Sequence, residues 1–177
     1  DVVNANAVNH LAVKYLAEIA KEKNIKLVHV STDYVFDGKN FKPYTEDDTT
    51  NPNGVYGKTK LDGENALREI NPPNALIIRT SWVYSSYGTN FVKTMLRLGK
   101  EKESLGVIYD QVGTPTYARD LAKAILDILA QLDSRFHGND EEDKLGNDEE
   151  GKLGNDEKSR HPQLDWGSSV QIYNYSN

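Results

Sequence analysis

Tyr56 and Lys60 stand four residues apart in the stretch YGKTK. On an α-helix that spacing stacks the two side chains on one face, a turn apart. A phenol free in water titrates near ~10 and is a poor acid–base catalyst at neutral pH. An ammonium beside it favours the phenolate and brings it toward the working range. A phenol tuned in this way gives a proton to a carbonyl oxygen while a hydride arrives from elsewhere. Ser31, Thr32, Asp33 and Tyr34 follow an apolar run in VHVSTDYVFDG, and the Thr32 hydroxyl suits a hydrogen bond to the same oxygen. Ligands of open α/β sheets lie beyond the carboxyl ends of the strands. A bare Tyr–Lys pair also arises with the ring at a helix–sheet contact and the ammonium in solvent. Context favours chemistry: the pair follows a run ending in Ser31-Thr32-Asp33 and precedes one ending in Arg79-Thr80-Ser81-Trp82.

These residues need strands and helices to hold them. Val8, Leu11, Ala12, Tyr15, Leu16, Ile19 and Ala20 recur at helical spacing, so Asn4 to Glu22 reads as an amphipathic helix. IKLVHVS reads as a buried strand, and FDGKNFKPYTEDDTTNPNG as a loop. A helix is expected from Val55 to Ile70, stopped by NPPN, then a strand over ALIIRTSWVY, a helix from Phe91 to Glu103 and a third strand over LGVIYDQ. Tyr117 to Leu132 reads as a further helix, and VQIYNYSN alternates like a strand. Helix and strand in alternation predict an α/β fold, a partial Rossmann-like doubly wound parallel sheet with helices on both faces.

Among the 177 residues the formal charge is -6. The acid excess lies wholly between Asp133 and Ser169, where 11 carboxylates meet 5 basic residues. GNDEEDKL, GNDEEGKL and GNDEKSRH follow one another there. A short, charged, Gly-punctuated repeat cannot bury a face, so solvated disorder is expected over 133–169. Its Asn–Asp pairs lack the ligand spacing of a calcium loop. The mean hydropathy of -0.67 reflects this segment. The chain divides on this reading into 1–132, the acidic insertion 133–169, and 170–177, the start of a strand. No run of about 18 apolar residues suggests a membrane span, and no basic patch with interleaved aromatics suggests nucleic acid. The absence of Cys excludes disulfides and points to a cytoplasmic setting. His10 and His29 have no convergent second ligand and read as structural, so no metal site is expected.

The words STDYVFDG, GVYGKTKLDGE, RTSWVY, NFVKTML and DQVGTPT, in that order over Asn4 to Leu132, resemble the extended short-chain dehydrogenase/reductases, and within them the dTDP-4-dehydrorhamnose reductases. The resemblance implies that Tyr56 is the proton donor, Lys60 its partner and a ribose ligand, and Thr32 a tuner of the reacting oxygen. It implies that Asp33, Tyr34 and Trp82 lie against the sugar, with Asn90 and Gln111 on the substrate side. Val30 and Ser31 would pass the nicotinamide, with Asn4 also on the cofactor side. Thr114 and Thr116, in a Pro-containing loop, are either site residues or turn chemistry. The implied reaction is hydride transfer from NADPH or NADH to the C4 ketone of dTDP-4-dehydro-L-rhamnose. The resemblance implies a dTDP-sugar substrate and allows a homodimer; some members of this family bind magnesium at a dimer interface, for which this sequence gives no support.

The chain departs from the family in three places. No Gly-rich phosphate turn precedes Asp1, the C-terminal substrate lobe is missing, and the acidic repeat interrupts the passage to VQIYNYSN. The expectation is therefore a fragment that by itself binds NADPH poorly and is inactive. Three other readings stand beside the reductase: a NAD-dependent sugar epimerase or dehydratase, a non-catalytic regulatory subunit like the partners of methionine adenosyltransferase, and a decayed gene fragment.

Overall fold

A computed structural model describes residues 1–107, 113–138 and 170–176. The chain forms two units, Asp1–Leu121 with Trp166–Asn177, and Ala122–Asp165. In the first, α1 (Val2–Asn6), a π turn (Ala7–Leu11) and α2 (Ala12–Lys23) follow one another directly. The Asp1 carboxylate caps the start by accepting from the Val3 and Asn4 amides, which satisfies helix donors that have no partner within the helix. Asn24, in the left-handed region at φ 53, ends α2. The π turn lies where α3 (Val55–Ile70) comes closest: a Cβ on Gly63 would stand 2.2 Å from the Asn9 carbonyl oxygen, and Asn9 Nδ2 donates to Thr59 Oγ1 at 3.1 Å.

Three parallel strands build the sheet, β1 (Leu27–Thr32), β2 (Ala75–Thr80) and β5 (Gln171–Tyr175), in the order β1-β2-β5. All six residues of β2 are buried, as an apolar run in a parallel sheet requires. Val13 and Ala17 of α2 and Leu67 of α3 pack on Ala75 and Ile77, with Leu27, Ile70 and Ile172 around them. Leu76 and Ile78, which alternate to the opposite face, are equally buried. Each such aliphatic side chain contributes about 1.5–3 kcal/mol on burial.

Several expectations change in detail. The strand predicted over ALIIRTSWVY stops at Thr80 and resumes as the short β3 (Val83–Tyr84), paired with β4 (Thr116–Tyr117). Between them Trp82 sits at φ 45, a left-handed backbone that a bulky residue rarely adopts. The Thr116 amide donating to the Trp82 carbonyl and Ser81 Oγ donating to the Thr114 carbonyl hold this kink. Leu105, Gly106 and Val107, the start of the third predicted strand, have no strand structure, and its remainder lies outside the described residues. The partner of β2 away from β1 is the segment from the VQIYNYSN stretch. Finally, α4 (Phe91–Glu101) ends slightly early, and α5 (Ala118–Gly138) runs past the expected boundary at 132 to the first glycine of the repeat.

Candidate active site

Three contacts tie the end of β1 to one face of α3. Nearest the helix start, Gly57 lies against the Tyr34 carbonyl, so that a Cβ there would stand 2.1 Å from the oxygen. One turn on, Lys60 Nζ donates to the Val30 carbonyl at 2.8 Å. A further turn on, Ser31 Oγ donates to Glu64 Oε1 at 2.5 Å. Tyr56 opens the same face, and its ring meets that of Tyr34 edge-on with centroids 5.9 Å apart. The Thr32 hydroxyl accepts from the Tyr34 amide and donates to Asp33 Oδ1, both at 3.2 Å. Tyr34 is thus the link between Thr32 and Tyr56.

Tyr56 is 51% exposed while Lys60 is 9% exposed, with its ammonium held at the Val30 carbonyl. Burial pulls the pKa of Lys60 below the usual lysine range, and the Glu64 carboxylate opposes that shift. Burial raises the pKa of Asp33, and the hydrogen bond from Thr32 works against it. Val30 remains 41% exposed beside the ammonium. An apolar surface next to a cation at a strand end fits the flat ring and the ribose hydroxyls of a nicotinamide nucleotide.

Trp82 and Tyr34 line one apolar cavity of about 830 Å³ with Phe91, Met95, Leu96 and Val107, a size suited to a small organic ligand. The indole packs on Phe91 with centroids 5.6 Å apart. It also rests on Gly113, where a Cβ would approach the indole nitrogen to 3.1 Å. Asp33, Thr80, Ser81 and Thr114 line a second cavity of about 500 Å³. Thr116 is buried and bonded to Thr80.

Two other expected site residues make local contacts. Asn90 caps α4, accepting from the Lys93 amide and donating to the Ser85 carbonyl. Asn4 donates to the Asp1 carboxylate at 2.6 Å. Gln111 lies outside the described residues. His10 is bonded to Asn6. Among the described residues no group of three or more His, Asp and Glu could hold a metal ion, and no helix is long and apolar enough to cross a membrane.

His29 has a stability role that can be measured. Burial, aided by the Lys60 charge, lowers its pKa from 6.5 to about 4. A folded-state pKa below the unfolded one gives stability that is full above about 6.5 and lost as pH falls toward 4. The window corresponds to about 3 kcal/mol at most. Chemical unfolding of His29→Gln should show a flatter pH dependence across that window than the parent chain.

Glu64 and Gly57 carry more of the geometry than their places in the sequence suggest. The sequence does not single out Glu64, although this residue continues the four-residue spacing of Tyr56 and Lys60. The role of Gly57 depends on a carbonyl far away in sequence and left no local signal. Gly57→Ala is expected to part the Tyr34 and Tyr56 rings and cost about 1–3 kcal/mol, read as loss of the near-ultraviolet tyrosine signal and an earlier unfolding midpoint.

The model of the family described as "RmlD substrate binding domain" matches residues 1–141. A dTDP-4-dehydrorhamnose reductase of Aggregatibacter actinomycetemcomitans is 48% identical over 132 residues, which are 75% of this chain and 45% of that protein. The Salmonella typhimurium dTDP-4-dehydrorhamnose reductase is 53% identical over 118 residues, 67% of this chain and 39% of that one. The chain therefore spans less than half the length of these curated relatives. Among solved structures, a dTDP-4-dehydrorhamnose reductase of Bacillus anthracis in complex with NADP superposes with TM-score 0.70 and 32% identity, covering 96% of this chain and 47% of that one.

Proposed function

The chain belongs to the RmlD substrate binding domain family, and on that premise we propose that it carries the proton-transfer part of a nucleotide-sugar ketoreductase. The reaction is reduction of the C4 ketone of dTDP-4-dehydro-L-rhamnose to dTDP-L-rhamnose with NADP(H). The observation that supports this reading best is the joining of Tyr56, Lys60, Thr32 and Tyr34 at one strand end, with Tyr34 shared with the cavity of Trp82. A nicotinamide cofactor held at this strand end would supply the hydride that C4 takes up. Tyr56 donates the phenolic proton to the ketone oxygen as negative charge develops on it. Lys60 holds positive charge behind the phenol, and Thr32 offers its hydroxyl to the same oxygen. Trp82 presents a flat apolar face, which suits the apolar face of a deoxyhexose. Val30 and Lys60 are the residues of this chain that would meet the nicotinamide end of the cofactor. The Bacillus anthracis complex favours NADP over NAD as that cofactor.

A chimera tests the reading. Residues 1–132 replace the matching segment of the Aggregatibacter reductase, and NADPH and NADH oxidation are followed with the ketosugar as substrate. Turnover in the chimera is expected, faster with NADPH. A folded chimera that binds cofactor and substrate without turnover would count against the assignment.

A further inference from the structure

Glu64 is fully buried and extends the Tyr56, Lys60 series by one more helical turn. Ser31 and Arg79 are register partners on β1 and β2, and both reach this single carboxylate. Ser31 Oγ donates at 2.5 Å, Arg79 Nε at 3.0 Å and Arg79 Nη2 at 2.7 Å. The Arg79 guanidinium also lies 5.1 Å over the Phe36 ring, which stacks on Tyr44. One carboxylate therefore joins a helix, an edge strand and the central strand, and Arg79 carries the connection on to the loop beyond them.

Stability alone is a poor reason for this arrangement, because an apolar pair of similar volume often serves a buried site as well or better. A forked guanidinium–carboxylate contact adds something an apolar pair lacks, a fixed direction. The neighbouring ties, Lys60 to the Val30 carbonyl and Gly57 against the Tyr34 carbonyl, are single contacts that a small slide or roll of α3 would undo. We propose that Glu64 is a positioning residue, which locks α3 against the end of β1 so that Tyr56 and Lys60 meet Tyr34 and Val30 in one arrangement. The purpose of this lock rests on the ketoreductase reading; its geometry does not.

The test is made on the 177-residue chain with isotope-labelled lysine and tyrosine, observed by NMR. Lys60 is faced by Glu64 from its own helix and by His29 from β1, while Glu64 in turn is held by Arg79 and lies 3.9 Å from Arg68. Glu64→Gln removes the carboxylate charge. The double variant Glu64→Leu, Arg79→Met removes both charges with similar volume and keeps the test decisive if the single variant fails to fold. In the folded variant, loss of the Tyr34–Tyr56 ring contact with the Lys60 signal titrating at lower pH than in the parent is expected. Retention of that ring contact in the folded double variant overturns the proposal, whatever Lys60 does. Neither readout involves turnover, so failure of the ketoreductase reading would show separately, in the chimera.

Discussion

Tyr56→Phe in the active chimera is expected to lower ketosugar reduction by about 10²–10⁴-fold, the usual contribution of a positioned general acid. The substitution removes one oxygen from a ring that is half exposed and keeps the ring itself, whose edge rests on Tyr34. Folding and the aromatic contact should therefore survive. The loss should appear in kcat, with little change in KM, because an interaction made mainly in the transition state is removed. Stopped-flow measurement of hydride transfer separates this from slow product release. Near-parental kcat would remove Tyr56 from the chemistry and leave a scaffold reading for the Tyr–Lys pair.

The second large effect concerns Arg79. Arg79→Met should destabilise the chain by about 3–5 kcal/mol, the usual consequence of stranding one member of a buried ion pair. The two side chains are 2% and 0% exposed, so water cannot take over the lost hydrogen bonds at Glu64. Natural domains hold only about 5–15 kcal/mol in total, and much of that margin would go. Urea unfolding followed by circular dichroism measures it. Combining Arg79→Met with Glu64→Leu should recover much of the loss, whereas additive losses would show that the two residues do not act as a pair.

How much of this was legible in the sequence depends on the range of the interaction that fixes each feature. Helix α3 and the facing of Tyr56 and Lys60 follow from four-residue spacing, which is local. The end of β1 at Thr32 follows from the change from apolar to polar residues. The kink at Trp82 depends on contacts with Thr114 and Thr116, more distant in sequence, and the run ALIIRTSWVY looks unbroken without them. Arg79 sits in a strand otherwise made of Ala, Leu, Ile and a terminal Thr, a sign of a buried partner, but nothing local named Glu64. The pairing of β5 with β2 joins residues on either side of the whole acidic repeat. Helix α5 overran its expected end because Asp133 is not a helix breaker, and it is described as far as Gly138.

The wide turn at Ala7–Leu11 has a consequence for insertions and deletions in this chain. A π turn holds one residue more than the α turn it replaces. Deleting a single residue there would let the helix close to the ordinary pitch with little rotation of what precedes it, because the wide turn already takes up the extra residue. The Asp1 cap would keep its direction, and Val13 and Ala17 would stay on the core. A length change of one residue is thus absorbed at this point, and the register of α2 on the sheet is kept.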